Sequence, residues 1–326
     1  MLPRISLLSP VLAAALLGAV AAVQAQPGVI YDMGGKFDKS FNQAGHMGAE
    51  RWKKETGGSY REFEISNPSQ REQAMQRMAR AGASPIVAIG FSQGSSVEKV
   101  AKAFPKTQFA IIDAVVTAPN VQSITFKEHE GSFLVGVMAA MASKTGKVGF
   151  VGGMDIPLIR RFQCGFEQGA KYANPKVQTV ANMTGTTPTA WNDPARGAEL
   201  AKAQFAGGVD VVFAAAGGTG IGVYQAAKDA GRYAIGVDSN QNHVQPGTML
   251  TSMVKRVDVA VHNAFKGITP GVTSLGLKEG GVDIAIDEHN ARLVTPAMKQ
   301  KVDAARTDIV AGKIRVIDYM TNNSCQ

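Results

Sequence analysis

Cysteine and histidine are scarce in this chain, and their scarcity excludes several kinds of metal site. The 326 residues include two cysteines, Cys164 and Cys325, and five histidines. Two cysteines cannot build a disulfide framework or a four-cysteine zinc site, and the histidines lack the spacing of metal ligands. Whether the cysteines form one disulfide or remain buried free thiols is open from the sequence. We expect no metal and no other cofactor.

Strong or clustered charge is missing as well. Charged residues make up 18% of the chain, and the formal net charge is +8. The longest basic runs are the pairs Lys53-Lys54 and Arg160-Arg161. A positive balance attracts nucleic acid only where it is clustered, so we expect no nucleic-acid partner. The length predicts about two domains, each large enough to bury its own core.

Long apolar runs are absent after the N-terminus. The stretch Val11–Val23 is shorter than the roughly 18 residues that a transmembrane helix needs. It follows Arg4 and leads into Val23-Gln24-Ala25, which is the pattern of a secretory signal peptide with its cleavage site. The sequence predicts removal of residues 1–25 and a soluble mature protein that begins near Gln26, the alternative being an uncleaved anchor. No cysteine lies near the cleavage site to carry a lipid.

Short apolar runs then alternate with segments of helical period. This alternation predicts parallel sheets covered by helices on both faces, arranged as two doubly wound, Rossmann-like α/β lobes. The predicted strands are 28–32, 62–65, 85–90 and 109–113 in the first series, and 147–151, 177–181, 210–214 and 234–238 in the second.

The remainder, Thr248–Gln326, is too poor in strands to form a third lobe. We expect it to complete the first two, so that the chain crosses between lobes near Ser123–Lys127, Met249–Met253 and Leu277–Val282. This arrangement gives an N-terminal lobe of 26–124 plus 252–278 and a C-terminal lobe of 125–251 plus 279–326. Three crossings form a hinge about which the lobes can close. The alternative is two lobes in tandem with a C-terminal tail.

Polar residues and glycines follow several predicted strands. Ligands bind beyond the carboxyl ends of strands in open parallel sheets, so these positions predict one polar cleft. The strand ends are Asp32, Gly90-Phe-Ser-Gln-Gly94, Asp113, Ala216-Gly-Gly-Thr-Gly220 and Asp238, and Ser40 is expected to cap the helix after the first strand.

Two of these segments resemble catalytic or cofactor motifs. Gly90–Gly94 matches the GxSxG nucleophile elbow of hydrolases, and a later Asp238 with His243 or His262 could complete a triad. A secreted enzyme acting on a nucleoside, sugar or ester is therefore one alternative. The glycine-rich segment before Gly222 fails the GxGxxG dinucleotide pattern, because its final position is Val223.

Five segments together resemble the basic membrane protein family of substrate-binding proteins, which feed ABC importers. They are Asp32–Gln43, Gly152–Pro157 with Phe162 and Gly165–Gly169, Phe213–Gly220, Gly236–Gln241 and Thr251–Asp258. The resemblance implies the type I periplasmic-binding fold with a three-stranded hinge, a monomer without enzymatic activity, and ABC permease subunits as partners. Relatives of this kind bind purine nucleosides. Many carry a lipid on a cysteine that is missing here, so we expect a protein free in the periplasm.

The resemblance also implies roles for particular residues. It places Phe41 against one face of the purine, with Asn42 and Asp113 on the base edge. Asp238 and Lys255 would hold the ribose hydroxyls. The rest of the predicted site comprises Asp32, the opposite lobe's Phe213, Gly217 and Gly218, and Trp191 as a second aromatic wall, for which a structural role is the alternative. A free purine base or another small polar solute is the alternative ligand.

Overall fold

The computed structural model describes residues 25–325, so the predicted signal peptide lies outside them except for Ala25. Within this range the chain forms twelve strands and ten α-helices. The strands are β1 Gly28–Tyr31, β2 Arg61–Glu64, β3 Ile86–Ile89, β4 Phe109–Ile112, β5 Val121–Phe126, β6 Lys147–Met154, β7 Gln178–Gly185, β8 Val211–Ala215, β9 Tyr233–Asp238, β10 Met249–Lys255, β11 Gly271–Leu275 and β12 Val282–Ile284. The helices are α1 Phe41–Thr56, α2 Gln70–Arg80, α3 Gly94–Ala103, α4 Glu128–Ala142, α5 Pro157–Ala173, α6 Pro194–Ala206, α7 Gly220–Asp229, α8 Val257–Lys266, α9 Pro296–Val310 and α10 Tyr319–Asn322.

The strands form two six-stranded sheets with the same order. One sheet runs β11-β5-β4-β3-β1-β2 and the other β12-β10-β9-β8-β6-β7. Neighbouring strands are parallel except for β12, which pairs antiparallel with β10. The inner strands β1, β3, β4 and β8 are buried at every residue, because helices cover both faces of each sheet. The two predicted α/β lobes are thereby confirmed.

Three connections join the lobes. The chain leaves the first sheet after β5 and enters α4, which packs against α5 and β10. It returns after β10 through α8, which packs against α1, and crosses a third time between β11 and β12. The second crossing lies after Lys255 rather than at the predicted Met249–Met253, since β10 continues its pairing with β12 to that residue. The strand β5 remains part of the first sheet as far as Phe126, which lies within the predicted first crossing, Ser123–Lys127.

The helices α4 and α5 pack unusually closely. At Gly165 and Gly169 of α5, a Cβ atom would overlap the backbone of His129 and Phe133 in α4. These glycines therefore set the distance between the helix that leaves the hinge and the helix that borders the cleft. The sequence did not predict α4, because it is apolar around most of its circumference and lacks a one-sided periodic stripe.

A disulfide fastens the C-terminus to the second lobe. Cys325 is bonded to the buried Cys164 of α5, with their Cα atoms 5.3 Å apart. This separation falls within the usual disulfide range. The structure thus resolves the choice that the sequence left open. No helix in residues 25–325 is long and apolar enough to cross a membrane.

Candidate functional site

One cavity lies between the carboxyl ends of the two sheets. The space free of protein atoms there, open solvent included, amounts to about 600 Å³. The predicted residues that line it are Asp32, Phe41, Asn42, Asp113, Trp191, Gly217, Asp238 and Lys255. Leu158, Ile159 and Phe162 add an apolar wall from α5. Strand-end reasoning found the acidic groups but not this helix face.

The loop between β1 and α1 carries Phe41 into the cavity. Asp38 anchors the loop, because its carboxylate accepts hydrogen bonds from the backbone N–H groups of Ser40, Asn42 and Gln43 at 2.8–3.0 Å. Asp38 therefore accepts the hydrogen bonds of the free backbone N–H groups at the start of α1, a capping role that the sequence assigned to Ser40. Burial raises the pKa of Asp38 to about 6, although these hydrogen bonds oppose the shift.

Asn42 is buried and mostly engaged within the protein. Its Oδ1 accepts from the backbone N–H of Asp32 at 3.1 Å, and its Nδ2 donates to the carbonyl of Asp32 at 3.2 Å. One amide N–H is left for the cavity. The two hydrogen bonds between Asn42 and the backbone of Asp32 hold the end of β1 in place.

Lys255 is the central charge of the site. Its Nζ lies 2.6 Å from Asp113 Oδ2 and 2.9 Å from Glu128 Oε1, and its side chain is 2% exposed. The ammonium also lies about 5.0 Å from the ring centres of Phe41 and Phe126. Burial alone would lower the pKa of Lys255, but the two carboxylates outweigh it and raise the pKa. Lys255 therefore stays protonated.

Glu128 is a member of the site that the sequence did not reveal. It begins α4, is fully buried, and bridges Lys255 to Arg161, whose Nη1 lies 2.9 Å from Oε2. Burial would raise the pKa of Glu128, yet these two cations lower it. Recognition of the buried helix α4 would have been the signal needed to find it.

Asp113 follows β4 in a left-handed conformation, with φ 70°. Its Oδ1 is buried and has no hydrogen-bond partner among the described residues. Burial raises the pKa of Asp113 to about 6, and Lys255 opposes this shift. The free oxygen is thus a preformed acceptor for a donor that enters the cavity.

Asp238 also lines the cavity and takes part in the contact between the two lobes. Ser40 donates to its Oδ2 at 2.6 Å, Ser239 donates to the carbonyl of Ser40 at 2.8 Å, and Gln241 Nε2 donates to the carbonyl of Lys39 at 2.9 Å. Burial raises the pKa of Asp238 to about 6. These bonds hold the first lobe against the second, so the cleft is closed.

Two predicted residues lie elsewhere. Phe213 is completely buried in the core, where its ring packs against Phe150 and Phe166. It lies two residues before the end of β8, too far inside the sheet to reach the cavity. Ala215, at the end of the strand, reaches the cavity instead. Gly218 does not line the cavity either, and a Cβ there would contact the carbonyl of Trp191 at 3.3 Å.

Trp191 ends a short 3₁₀ turn, Pro188–Trp191, in the second lobe. It lines the cavity and packs over Gly34 of the first lobe and Gly153 of β6. At Gly153 a Cβ would overlap the indole ring, so glycine is required there for the ring to lie this close to the strand. Trp191 therefore has the structural role that the sequence offered as the alternative, and its role as an aromatic wall for a ligand stays a prediction.

The GxSxG segment has no triad geometry. Ser92 donates to Asp32 Oδ2 at 2.5 Å, and Arg71 pairs with Oδ1 of the same carboxylate at 3.2 Å. His262 is bonded to Glu55, and His243 lies against another histidine ring. In the described part of the chain, Ser92 thus lacks the histidine that a hydrolase requires.

Across residues 25–325, no three His, Cys, Asp or Glu side chains are grouped so that they could hold a metal ion. Among the acidic residues of the cleft, Asp113 pairs with Lys255, Asp32 with Arg71 and Asp238 with Ser40, while Asp38 accepts from backbone N–H groups. The cleft is thus built for hydrogen bonding and apolar contact.

Comparison with known proteins agrees with this geometry. The family model for PnrA-like ABC transporter substrate-binding proteins matches residues 25–318. The nucleoside-binding protein BmpA of Lactococcus lactis is 33% identical, over 88% of each chain. A lipoprotein of Pyrococcus furiosus is 35% identical, over 78% of this chain and 68% of that one.

Solved structures give the same result. A solute-binding protein from Aeropyrum pernix is similar with a TM-score of 0.83 and 29% identity, over 93% of this chain and 95% of that one. One from Conexibacter woesei shares the fold, with a TM-score of 0.72 and 22% identity over 90% and 99% of the chains. The predicted type I periplasmic-binding fold is confirmed. The chain belongs to the PnrA-like family of ABC transporter substrate-binding proteins.

Proposed function

We propose that this protein captures a purine nucleoside in the closed cleft and delivers it to the permease of an ABC importer. One observation carries the proposal: two aromatic side chains and two buried carboxylates line the same cavity. Phe41 and Trp191 supply flat surfaces, while Asp113 and Asp238 supply hydrogen-bond acceptors. The Lactococcus lactis relative is named as nucleoside-binding, which supports the same ligand class.

The base would occupy the end near Asp113. An aromatic ring such as Phe41 stacks any base with about 1–3 kcal/mol. The unpartnered Oδ1 of Asp113 can accept a base N–H, and the remaining N–H of Asn42 can donate to a ring nitrogen or carbonyl.

The ribose would occupy the end near Asp238. Ser40 uses Oδ2 of this carboxylate, and Oδ1 accepts no hydrogen bond within residues 25–325, so it is free for a sugar hydroxyl. Lys255 donates one N–H group to Asp113, forms an ion pair with Glu128 at 2.9 Å, and can offer a further N–H group to the sugar. A ribonucleoside therefore matches both ends of the cavity.

Calorimetric titration with guanosine, adenosine, guanine and adenine tests these assignments. Asp238→Ala should lose about 2–4 kcal/mol for the ribonucleosides and barely affect the bases, because it removes charge-assisted hydrogen bonds to the sugar. Phe41→Ala should weaken both classes by roughly 1–3 kcal/mol. Asp229→Ala, which removes an exposed carboxylate on α7, is the matched control and should change neither.

Two results would replace the nucleoside by another ligand. If the wild-type protein binds the bases as tightly as the nucleosides, it is a free-base receptor. If it binds none of the four compounds, the ligand is another small polar solute. A nucleoside recovered intact after long incubation would also exclude the alternative of an enzyme, for which Ser92 is the candidate nucleophile.

We further propose that the protein is exported through its N-terminal segment and works as a soluble periplasmic monomer. The Pyrococcus furiosus relative is called a lipoprotein, whereas this chain has no cysteine near the proposed cleavage site at Ala25. Intact-mass analysis of periplasmic extract should show a chain that starts near Gln26 without an acyl group. Retention of residues 1–25 would contradict cleavage, and an added acyl mass would contradict the absence of a lipid. A dimer in light scattering would contradict the monomer.

A further inference from the structure

A row of alternating charges runs from the cleft to the C-terminus. It comprises Asp113, Lys255, Glu128, Arg161 and Asp318, and we call it the charge row. Lys255 Nζ lies 2.6 Å from Asp113 and 2.9 Å from Glu128, and Arg161 Nη1 lies 2.9 Å from Glu128. Asp318 ends the row with both carboxylate oxygens 2.7 Å from Arg161. The first two members line the cavity, whereas the other three do not.

Arg161 holds its position through contacts on two sides. Its Nη1 donates to the carbonyl of Phe126 at 2.7 Å as well as to Glu128, while Nε and Nη2 form the paired bonds to Asp318. A guanidinium is planar, so these bonds fix its orientation as well as its distance. Burial would lower the pKa of Arg161, but Glu128 and Asp318 raise it. The group stays charged.

The segment that carries Asp318 is fastened to α5 at two further points. Gln168 exchanges hydrogen bonds with the backbone of Ile317, at 2.8 and 3.0 Å, and Cys325 is bonded to Cys164. Arg161, Cys164 and Gln168 are spaced i, i+3 and i+7, so they lie along one face of the helix. This face holds the C-terminal segment Ile317–Cys325 in register with the charge row.

We propose that Arg161 and Asp318 are positioning residues for the ligand site, and that the C-terminal segment thereby sets the geometry of the cleft. The inference rests on the proposed function, in which Lys255 and Asp113 bind the ligand. Arg161 compensates the second oxygen of Glu128, which leaves Lys255 balanced between Glu128 and Asp113. Without Arg161, Glu128 draws the ammonium out of the cavity, and Asp113 loses its counter-ion.

The carboxyl titration of Asp113 reports this balance without any ligand. The charged groups that face Asp113 are Lys255, Glu128 and Asp238. Loss of Arg161 leaves the negative charge of Glu128 uncompensated and weakens the hold of Lys255. Both changes favour the protonated form of Asp113. NMR of protein labelled at the aspartate carboxyl carbons should therefore show the Asp113 midpoint moving to higher pH in Arg161→Gln.

Guanosine affinity at pH 7.5 is the second readout. Arg161→Gln should bind guanosine roughly ten-fold more weakly, and Asp318→Asn, a milder change, should weaken it a few-fold in the same direction. Arg160→Gln is the matched control, because the neighbouring Arg160 pairs with Asp155 outside the charge row and should change neither readout. If Arg161→Gln does not fold, Asp318→Asn carries the test.

The two readouts separate the possible failures. An unchanged Asp113 titration in a folded Arg161 or Asp318 variant overturns the positioning role, whether or not affinity falls. A shifted titration in a protein that binds no purine supports the charge row and overturns the proposed ligand. A fall in affinity equal to that of Arg160→Gln, with no shift, means that general destabilisation explains the loss.

Discussion

Asp113 and Asp238 occupy the same place in the two lobes but differ in their partners. They come at the ends of β4 and β9, each the third strand of its sheet. Both have left-handed backbones, with φ 70° and 64°, and burial raises the pKa of both to about 6. Each reaches a residue that belongs to the opposite side of the cleft. For Asp113 that residue is the cation Lys255, and for Asp238 it is the hydroxyl of Ser40.

Under the proposed function, this difference would let one fold used twice recognise two ends of the ligand. A buried ion pair such as Asp113–Lys255 is strongly held, since removing either partner leaves an uncompensated charge. A hydrogen bond from a neutral hydroxyl is weaker and can exchange with a similar group. In the proposed complex, the second lobe would therefore offer a carboxylate suited to sugar hydroxyls, and the first would offer one held rigidly for a base edge.

Removing the cation should have the largest effect. Lys255→Met should lower the free energy of unfolding by about 3–5 kcal/mol, because Asp113 and Glu128 would remain buried without it. Chemical denaturation measures the change. Lys102→Met is the control, since Lys102 pairs with Glu98 on an exposed helix and its loss should leave stability unchanged. An equal decrease in the free energy of unfolding in both variants would mean that the buried ion pair contributes no more to stability than an exposed one.

Removing the hydroxyl should have a smaller and different effect. Ser40→Ala deletes a bond to a buried carboxylate, worth about 1.5–3 kcal/mol, and this bond exists only while the lobes are closed. The ligand-free variant should open, which small-angle scattering would detect as a larger radius of gyration. Ser95→Ala, at an exposed position of α3, should scatter like the wild type. An unchanged radius for Ser40→Ala would show that other contacts hold the cleft closed.

Acidification should weaken ligand binding through both carboxylates. The proposed ligand donates hydrogen bonds to the ionised forms of Asp113 and Asp238, whose pKa values are about 6. Affinity should therefore be constant well above pH 6 and should fall as the pH drops below 6. At one pH unit below the pKa, protonation of each carboxylate should have weakened binding by roughly ten-fold. In Asp238→Asn, the fall in affinity should depend on the protonation of Asp113 alone instead of on two carboxylates. A wild-type affinity that rises on acidification would contradict the assignment of both carboxylates as acceptors.

Much of the fold was predictable because short apolar runs and strand-end polar residues obey local rules. The aspartates of the cleft were found in this way, since parallel strands bring their carboxyl ends to one edge. Glu128 was missed because its helix is buried on nearly every side and shows no amphipathic stripe. Phe213 was misplaced because it lies two residues before the end of β8, inside the core, and of the two residues on that face only Ala215 at the strand end reaches the cavity. The contact between Ser40 and Asp238 joins residues 198 positions apart, so only the assembled lobes could reveal it.

Identification of the ligand that the protein carries from the cell tests the central claim most directly. Protein purified without refolding is denatured, and the released small molecules are analysed by liquid chromatography and mass spectrometry. The proposed cleft predicts an intact purine ribonucleoside at close to one molecule per chain, and its loss in Asp238→Ala. A free base, a sugar without a base, or a non-purine solute bound in the same amount would contradict the nucleoside assignment.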